Sequence, residues 1–481
     1  MSVDLNDRKR AVLAGGDPSK QRDSGKLLAR ERIAMLLDPN SFVEIGTLAG
    51  TAKEELASVV AGYGTIDNRL VYLYAQDFTV KGGAVTKKAA EKIVRVMELA
   101  GKTGSPILSL CDSAGARVDQ GICSLDAYSI VMAQAARLSG VVPQIALVLG
   151  PCAGGAAVIA QMSDFVLQAG AGAQFLAGPQ IVSAKTGKTY DQQSLGGAKV
   201  ISEKGGAHIT CDQEEEAFAF ARKLISYLPS NNTEDSPLFE ADDLNRMINA
   251  DGSDARVIIG QIADGGDWLE LQPAYAPNMT IAFGTVGGRA VGFVANNPAF
   301  DDGILCPPAC AKAARFVRFC DAFNLPVIAL TNTCGMIAPD AARNVEALQA
   351  AGQLVYAFAE ASVPKVGVIV GSAIGIGYSA MASRALGTDI IYAWPDAVVS
   401  PMSPEASVHI LNREELRAGK SEEELVAAYK AENGALHAAE TGLIDDVIEP
   451  AATRQMIAAA VEATMGKRDM LPPRKHGNMP L

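Results

Sequence analysis

The sequence predicts an α/β protein in which one strand-and-helix unit occurs twice. Three observations lead there: strand and helix patterns alternate, the strand segments are too apolar to face water, and landmarks of the first half recur in the second. Pro326 follows Pro106 by 220 positions (326 − 106), and Gly375 follows Gly154 by 221 (375 − 154). An offset that holds from one landmark to the next argues duplication.

In the first copy, Ala89, Ile93, Val96, Met97 and Ala100 recur at three- and four-residue spacing and predict an amphipathic helix. A strand is expected over 106–110, then a turn over 112–117 and a second helix. A strand over 145–149 follows, then a glycine turn over 150–155, an apolar helix, and another strand opening at Asp164. The second copy repeats the plan: helix 313–321, strand 326–330, turn 331–336, helix 345–359, strand 366–370, glycine turn 371–377, and a last strand from Asp389. A polar, proline-bounded run over 228–237 reads as a linker and divides the chain into domains 1–235 and 236–481. The charged stretch 412–433, with spaced leucines, predicts a peripheral helix.

Composition sets limits on function. A formal charge of -12 without any Lys/Arg-rich run leaves no footprint for nucleic acid. No apolar run is long enough for a membrane span, and the polar start MSVDLNDRKR is unlike a signal or transit peptide, so a cytosolic protein is expected. The eight cysteines include no CxxC pair and are expected to be reduced and mostly buried. Cys306 and Cys310 alone are too few for a zinc site, and no metal is expected.

The glycine turns carry the chemistry. In each copy a buried strand runs through glycines into an apolar helix, so the backbone N–H groups there are the unsatisfied donors of a helix N-terminus. Two such amides can stabilise an enolate or thioester oxyanion. The alternative is that the glycines only permit close packing of helix on sheet. Their recurrence at the same place in both copies favours two anion holes for two substrates.

Sharper motifs fall short. Gly375-Ile376-Gly377-Tyr378-Ser379-Ala380 fits a dinucleotide fingerprint, but the acidic residue, Asp389, precedes its strand instead of ending it. Ser113 lacks the first glycine of a nucleophile elbow, and the four histidines (His208, His409, His437, His476) read as structural or surface residues, not as a base. Around Lys185-Thr186 the glycines of a phosphate loop are missing. The chemistry must then rest on backbone amides and on a substrate that brings its own base.

At these residues the chain resembles the acyl-CoA carboxyltransferases typified by the β subunit of propionyl-CoA carboxylase and the carboxyltransferase subunit of sodium-pumping acyl-CoA decarboxylases. The likeness is carried by GKLLARERI (25–33), SFVE (41–44), QDFTV (76–80), DSAGAR (112–117), GPCAGGA (150–156), KAARFVRFCDAFN (312–324), YAWP (392–395) and LPPRKHGN (471–478). It implies a duplicated crotonase-like fold and a homo-oligomer, commonly a hexamer, with acyl-CoA on the N-terminal half and biotin on the C-terminal half. Carried over by position, the amides of Gly115, Ala116, Gly154 and Gly155 would hold the thioester enolate. Those of Gly375, Ile376 and Gly377 would hold the ureido oxygen of biotin, whose freed nitrogen takes the α-proton.

The second turn departs from the family pattern. Gly371-Ser372 stands where the family has Arg-Lys, Gly375-Ile376-Gly377-Tyr378 where it has Gly-Gly-Ala-Tyr, and Thr333-Cys334-Gly335-Met336 where it has Val-Pro-Gly-Phe. With no Met-Lys-Met biotinylation site and no ATP-binding module, the resemblance implies three further components. They are a separate biotin carboxyl carrier protein, coenzyme A as part of the substrate, and either a biotin carboxylase or a membrane decarboxylase subunit. Two rival readings stay open: a diverged scaffold subunit without turnover, and a biotin-independent crotonase-type acyl-CoA enzyme.

Overall fold

Each half of the chain builds one mostly parallel sheet around its runs of buried β-branched residues. The computed structural model describes residues 5–49, 58–337, 340–469 and 471–480. The chain divides into two compact units, Met1–Glu234 and Asp235–Leu481.

In the first unit the strands are β1 (Val43–Glu44), β2 (Val59–Ile66), β3 (Arg69–Gln76), β4 (Ile107–Ser113), β5 (Gln144–Ala153), β6 (Phe165–Ala169), β7 (Ala173–Phe175) and β8 (Ile209–Cys211). They lie in the order β1-β2-β3-β4-β5-β6-β8, with β7 paired to β5. The first three are antiparallel neighbours and every later pairing is parallel.

The second unit has β9 (Trp268–Leu271), β10 (Met279–Val286), β11 (Arg289–Asn296), β12 (Val327–Thr333), β13 (Lys365–Ile374), β14 (Ile390–Ala393), β15 (Val398–Ser400) and β16 (Asp446–Val447). Its order is β9-β10-β11-β12-β13-β14-β16, with β15 paired to β13. Matching β1 with β9 and so on to β8 with β16 makes the two orders the same. The duplication therefore extends from spacing to topology, and even to the hairpins. Asp67-Asn68 (φ 49° and 63°) and Gly287-Gly288 (φ 60° and 75°) supply the left-handed pair that a two-residue hairpin needs.

Helix Lys87–Thr103 starts where Thr86 Oγ1 accepts the Ala89 N–H at 3.2 Å and ends at left-handed Gly104. Its apolar stripe, Ala89, Ile93, Val96, Met97 and Ala100, is buried against a cluster that includes Val59, Tyr72 and Ile107. In the second unit, Ile258, Ile259 and Ile262 of helix Ala255–Ile262 and Ile457 and Val461 of helix Thr453–Thr464 pack with Val291, Phe293 and Val368.

Several expected boundaries move. Because β5 runs to Ala153 and β13 to Ile374, the glycine turns read over 150–155 and 371–377 are mostly strand. Gly150 and Gly371 serve packing: a Cβ would lie 2.1 Å from Asp112 Oδ1 on the former and 2.4 Å from Asn332 Oδ1 on the latter. There β5 passes from β6 to β7, and β13 from β14 to β15. Strands β4 and β12 also outrun the sequence reading, with a register shift between Cys111 and Ser113 and another between Thr331 and Thr333.

The helix expected over 313–321 starts at Pro307, since proline fits a first turn whose N–H groups need no acceptor. The single helix expected over 412–433 is two, Arg413–Arg417 and Glu422–Glu432, parted by Gly419 at φ 88°. Five of the cysteines are buried, Cys306 and Cys334 are half-buried, and Cys123 is exposed. Among the described residues, no helix is long and apolar enough to cross a membrane.

Candidate active site

Strand β5 ends into Gly154 at φ 58° and ψ −125°, and helix Gly155–Met162 begins at the next residue. Gly375 links β13 to helix Ile376–Met381 in nearly the same conformation, φ 54° and ψ −121°. A side chain with a Cβ is strained in that region, so each corner requires glycine. The first-turn amides beyond it, Gly155 to Ala157 and Ile376 to Tyr378, have no acceptor in their own helix and form its positive end.

The N–H of Gly154 donates to Phe175 O at 2.9 Å, and that of Gly375 to Ser400 O at 2.8 Å. Their sheet pairing with β7 and β15 uses the donors that the sequence reading assigned to an anion. Likewise Gly115 N–H is turned to Ser113 Oγ at 3.2 Å. Ala116 forms a parallel bridge with Val85. Gly155, Ile376 and Gly377 keep their amides at a helix start, so these three are the first-turn donors among the seven expected residues. The packing explanation also holds in part: a Cβ on Gly155 would lie 2.5 Å from Tyr128 Cγ, and one on Gly377 2.3 Å from Thr333 Cγ2.

The structure brings the Gly115 turn and the Gly154 corner together, since a Cβ on Gly115 would meet Ala153 at 3.4 Å. Its counterpart is Gly335, at φ 93° against 103° for Gly115. A Cβ there would lie 3.1 Å from Ile374 O, one residue before the second corner. The isoleucine that departs from the family pattern, Ile376, follows Gly375 as Gly155 follows Gly154, and the corner's backbone geometry is kept despite it.

Tyr128 packs against this candidate site, and the sequence reading did not single it out. Its buried hydroxyl donates to Gly115 O at 2.8 Å while its ring abuts Gly155, so one side chain clamps turn and corner. Burial pushes its phenol pKa up, which keeps it a donor. Its only sequence signal is a tyrosine on an apolar helix face. Tyr128→Phe is expected to cost about 1 kcal/mol of stability and less than about tenfold in kcat, read by urea unfolding and steady-state kinetics; full stability would mean that the hydroxyl is not holding Gly115.

The second corner opens on a cavity of about 580 Å³ lined by Gly375, Tyr378, Ser379, Ser400, Asn433 and His437 among others. Tyr378 closes one side by donating to Leu443 O at 3.2 Å. His437, one of the four histidines read as structural or surface residues, is exposed and also lines this cavity. His208 is structural: its Nδ1 accepts the Val166 N–H at 3.0 Å, and its ring stands edge-on to Phe165.

Comparisons with known proteins give the family and the fold. The family model described as "Carboxyl transferase domain" matches residues 20–479. The putative propionyl-CoA carboxylase beta chain of Bacillus subtilis (strain 168) is 41% identical, over 98% of this chain and 98% of that one. The methylmalonyl-CoA decarboxylase subunit alpha of Propionigenium modestum is 38% identical over 99% and 98%. The crystal structure of transcarboxylase 12S, a hexamer assembly with methylmalonyl-coenzyme A and methylmalonic acid bound, superimposes with a TM-score of 0.93 at 38% identity, covering 99% of this chain and 98% of that one. With the match running through both glycine corners and nearly the full length of the chain, this protein belongs to the carboxyl transferase domain family.

Proposed function

We propose that this chain is the carboxyltransferase subunit that moves CO2 between carboxybiotin, held on a separate carrier protein, and the α-carbon of an acyl-CoA of the propionyl or acetyl type. The observation that carries the reading is the pair of corners at Gly154 and Gly375, alike in backbone conformation and each followed by unsatisfied helix amides. Two matched donor sites suit a reaction in which two carbonyl oxygens gain charge in turn.

On the first unit, Gly155 N–H, with Ala116 close by on the turn that Tyr128 clamps, receives the thioester oxygen as the α-carbon loses its proton. On the second unit, Ile376 and Gly377 receive the ureido oxygen. The cavity beside them fits an uncharged bicyclic ring, with polar Ser379, Ser400 and Asn433 among apolar Val399, Ala438 and Leu443. Carboxybiotin supplies the CO2 and, once that has left, a ring nitrogen basic enough to take the α-proton. The chain's own part is to orient both substrates and stabilise both oxyanions through fixed amides, which need no reorganisation.

The subunit works as a homohexamer in the cytoplasm, with a biotin carboxylase in the carboxylating direction or a membrane decarboxylase subunit in the reverse one. Purified protein assayed for CO2 release from malonyl-, methylmalonyl- and glutaconyl-CoA, with and without free biotin, tests the reading. Biotin-dependent release is expected. Release independent of biotin would favour a crotonase-type enzyme, and no release from an intact oligomer would favour a scaffold.

A further inference from the structure

Asp112 has no exposed surface and lies at the register shift of β4. Its Oδ2 accepts from Arg32 Nη1 at 2.8 Å and from Gln21 Nε2 at 2.9 Å, and Lys26 Nζ is 3.0 Å from both carboxylate oxygens. Arg32, 1% exposed, continues to Glu214 through bonds of 2.7 and 2.6 Å and to Leu149 O at 2.9 Å. Two cations and two carboxylates are thus enclosed together. Burying such groups costs desolvation that their attraction often fails to return, so stability alone is a poor reason for them.

Their placement suggests another. Asp112 N–H donates to Gln76 Oε1 at 3.0 Å, and its carboxylate fills the space that a side chain on Gly150 would need, next to the Leu149 carbonyl that Arg32 holds. The cluster therefore grips β4 and β5 together at the point where their pairing shifts. A few residues further on, β4 leads to Gly115 and Ala116, and β5 to Gly154 and Gly155. In the second unit Asn332 fills the same point without charge: its Oδ1 accepts the Ser372 N–H at 3.0 Å, and its Nδ2 donates to Gly252 O at 3.1 Å. The fold itself can do without ions here.

We propose that Asp112, with Arg32, Lys26 and Glu214, is a positioning device for the first corner, needed for the acyl-CoA side of the reaction and not for the biotin side. The inference rests on the assignment of acyl-CoA to the first unit. A carboxylate only accepts, and its oxygens here face donors; an amide in its place would turn N–H groups toward Lys26 or Arg32. Burial pulls the Lys26 pKa down against the attraction of Asp112, so losing that negative charge leaves an ammonium with a weaker counterweight.

The test uses the full oligomer carrying Asp112→Asn, Lys26→Met or both, with methylmalonyl-CoA and free biotin as substrates and hydrogen exchange at amides 155–157 and 376–378. Asp112→Asn is expected to lower kcat about 10²-fold, with KM for biotin within about twofold, and to speed exchange at the first corner alone. The double variant should recover part of that kcat, because the new amide no longer faces an ammonium; a merely structural role would not confine the change to the first corner while leaving KM for biotin unmoved. Unchanged kcat in Asp112→Asn, or equal changes at both corners, overturns the proposal. Should that variant fail to assemble, Lys26→Met carries the test: a loss of about tenfold with exchange altered only at 155–157 supports it, and no change overturns it. If the wild type transfers no carboxyl group, the proposed function fails, and the exchange pattern still decides the positioning role.

Discussion

Alanine at Gly154 is expected to lower carboxyl transfer by about 10²–10³-fold in kcat, as loss of an oxyanion donor does elsewhere, and alanine at Gly375 to do the same. Collision is a minor part of the effect at Gly154, where a Cβ would find its nearest neighbour, Leu176 O, at 3.7 Å; on Gly375 it adds to the effect, because Pro401 O would stand only 3.1 Å away. The shared cost is in the backbone. Holding alanine at φ near 58° and ψ near −125° stores strain of about 1–3 kcal/mol, which the corner relieves by turning, and the helix amides turn with it. Gly155→Ala and Gly377→Ala act differently, by driving a methyl into Tyr128 or Thr333. Transfer from methylmalonyl-CoA to free biotin, with kcat and both KM values, checks the pair. Wild-type kcat in Gly154→Ala would end the anion-hole reading of the first unit.

Much of the fold was legible because it depends on short-range pattern. The stripe from Ala89 to Ala100 predicted its helix and its buried face, and the recurring prolines and glycines predicted two copies of one sheet. The corners were located but misread. A run such as Gly150-Pro151-Cys152-Ala153 reads as turn, and nothing local shows that β7, three residues long, will pair with it and take the Gly154 N–H. Gly335, the counterpart of Gly115, was read within the turn over 331–336 but was not counted among the site residues.

Long-range partners were the least legible. Arg32 meets Asp112 across 80 positions and Glu214 across 182, and no periodicity announces such pairs. The basic residues of GKLLARERI carried the family resemblance, yet their task became visible only with β4 and β5 in place. Tyr128 illustrates the same limit: its hydroxyl and ring act on Gly115 and Gly155, 13 positions before it in one case and beyond the next strand in the other.

Arg454→Met is expected to destabilise the protein by about 3–5 kcal/mol, the cost of breaking a buried ion pair, whereas Arg222→Met should cost about 1 kcal/mol or less. The two arginines do the same work in the two units. Arg222 bonds to Leu36 O at 3.0 Å and to Asp38 at 2.9 Å, and Asp38 accepts the N–H groups of hairpin residues Asp67 and Asn68 at 3.0 and 2.9 Å. Arg454 bonds to Ile262 O and, at 2.6 Å, to Asp264, which accepts the N–H groups of hairpin residues Gly287 and Gly288 at 3.2 and 2.7 Å. What differs is burial: the Arg222 side chain is 28% exposed and that of Arg454 0%. Water can take over the bonds that Arg222 leaves, but Asp264, 5% exposed, would remain a buried carboxylate without its cation. Denaturant unfolding of both variants at matched protein concentration measures the difference, and equal losses would show that burial does not set the strength of this clamp.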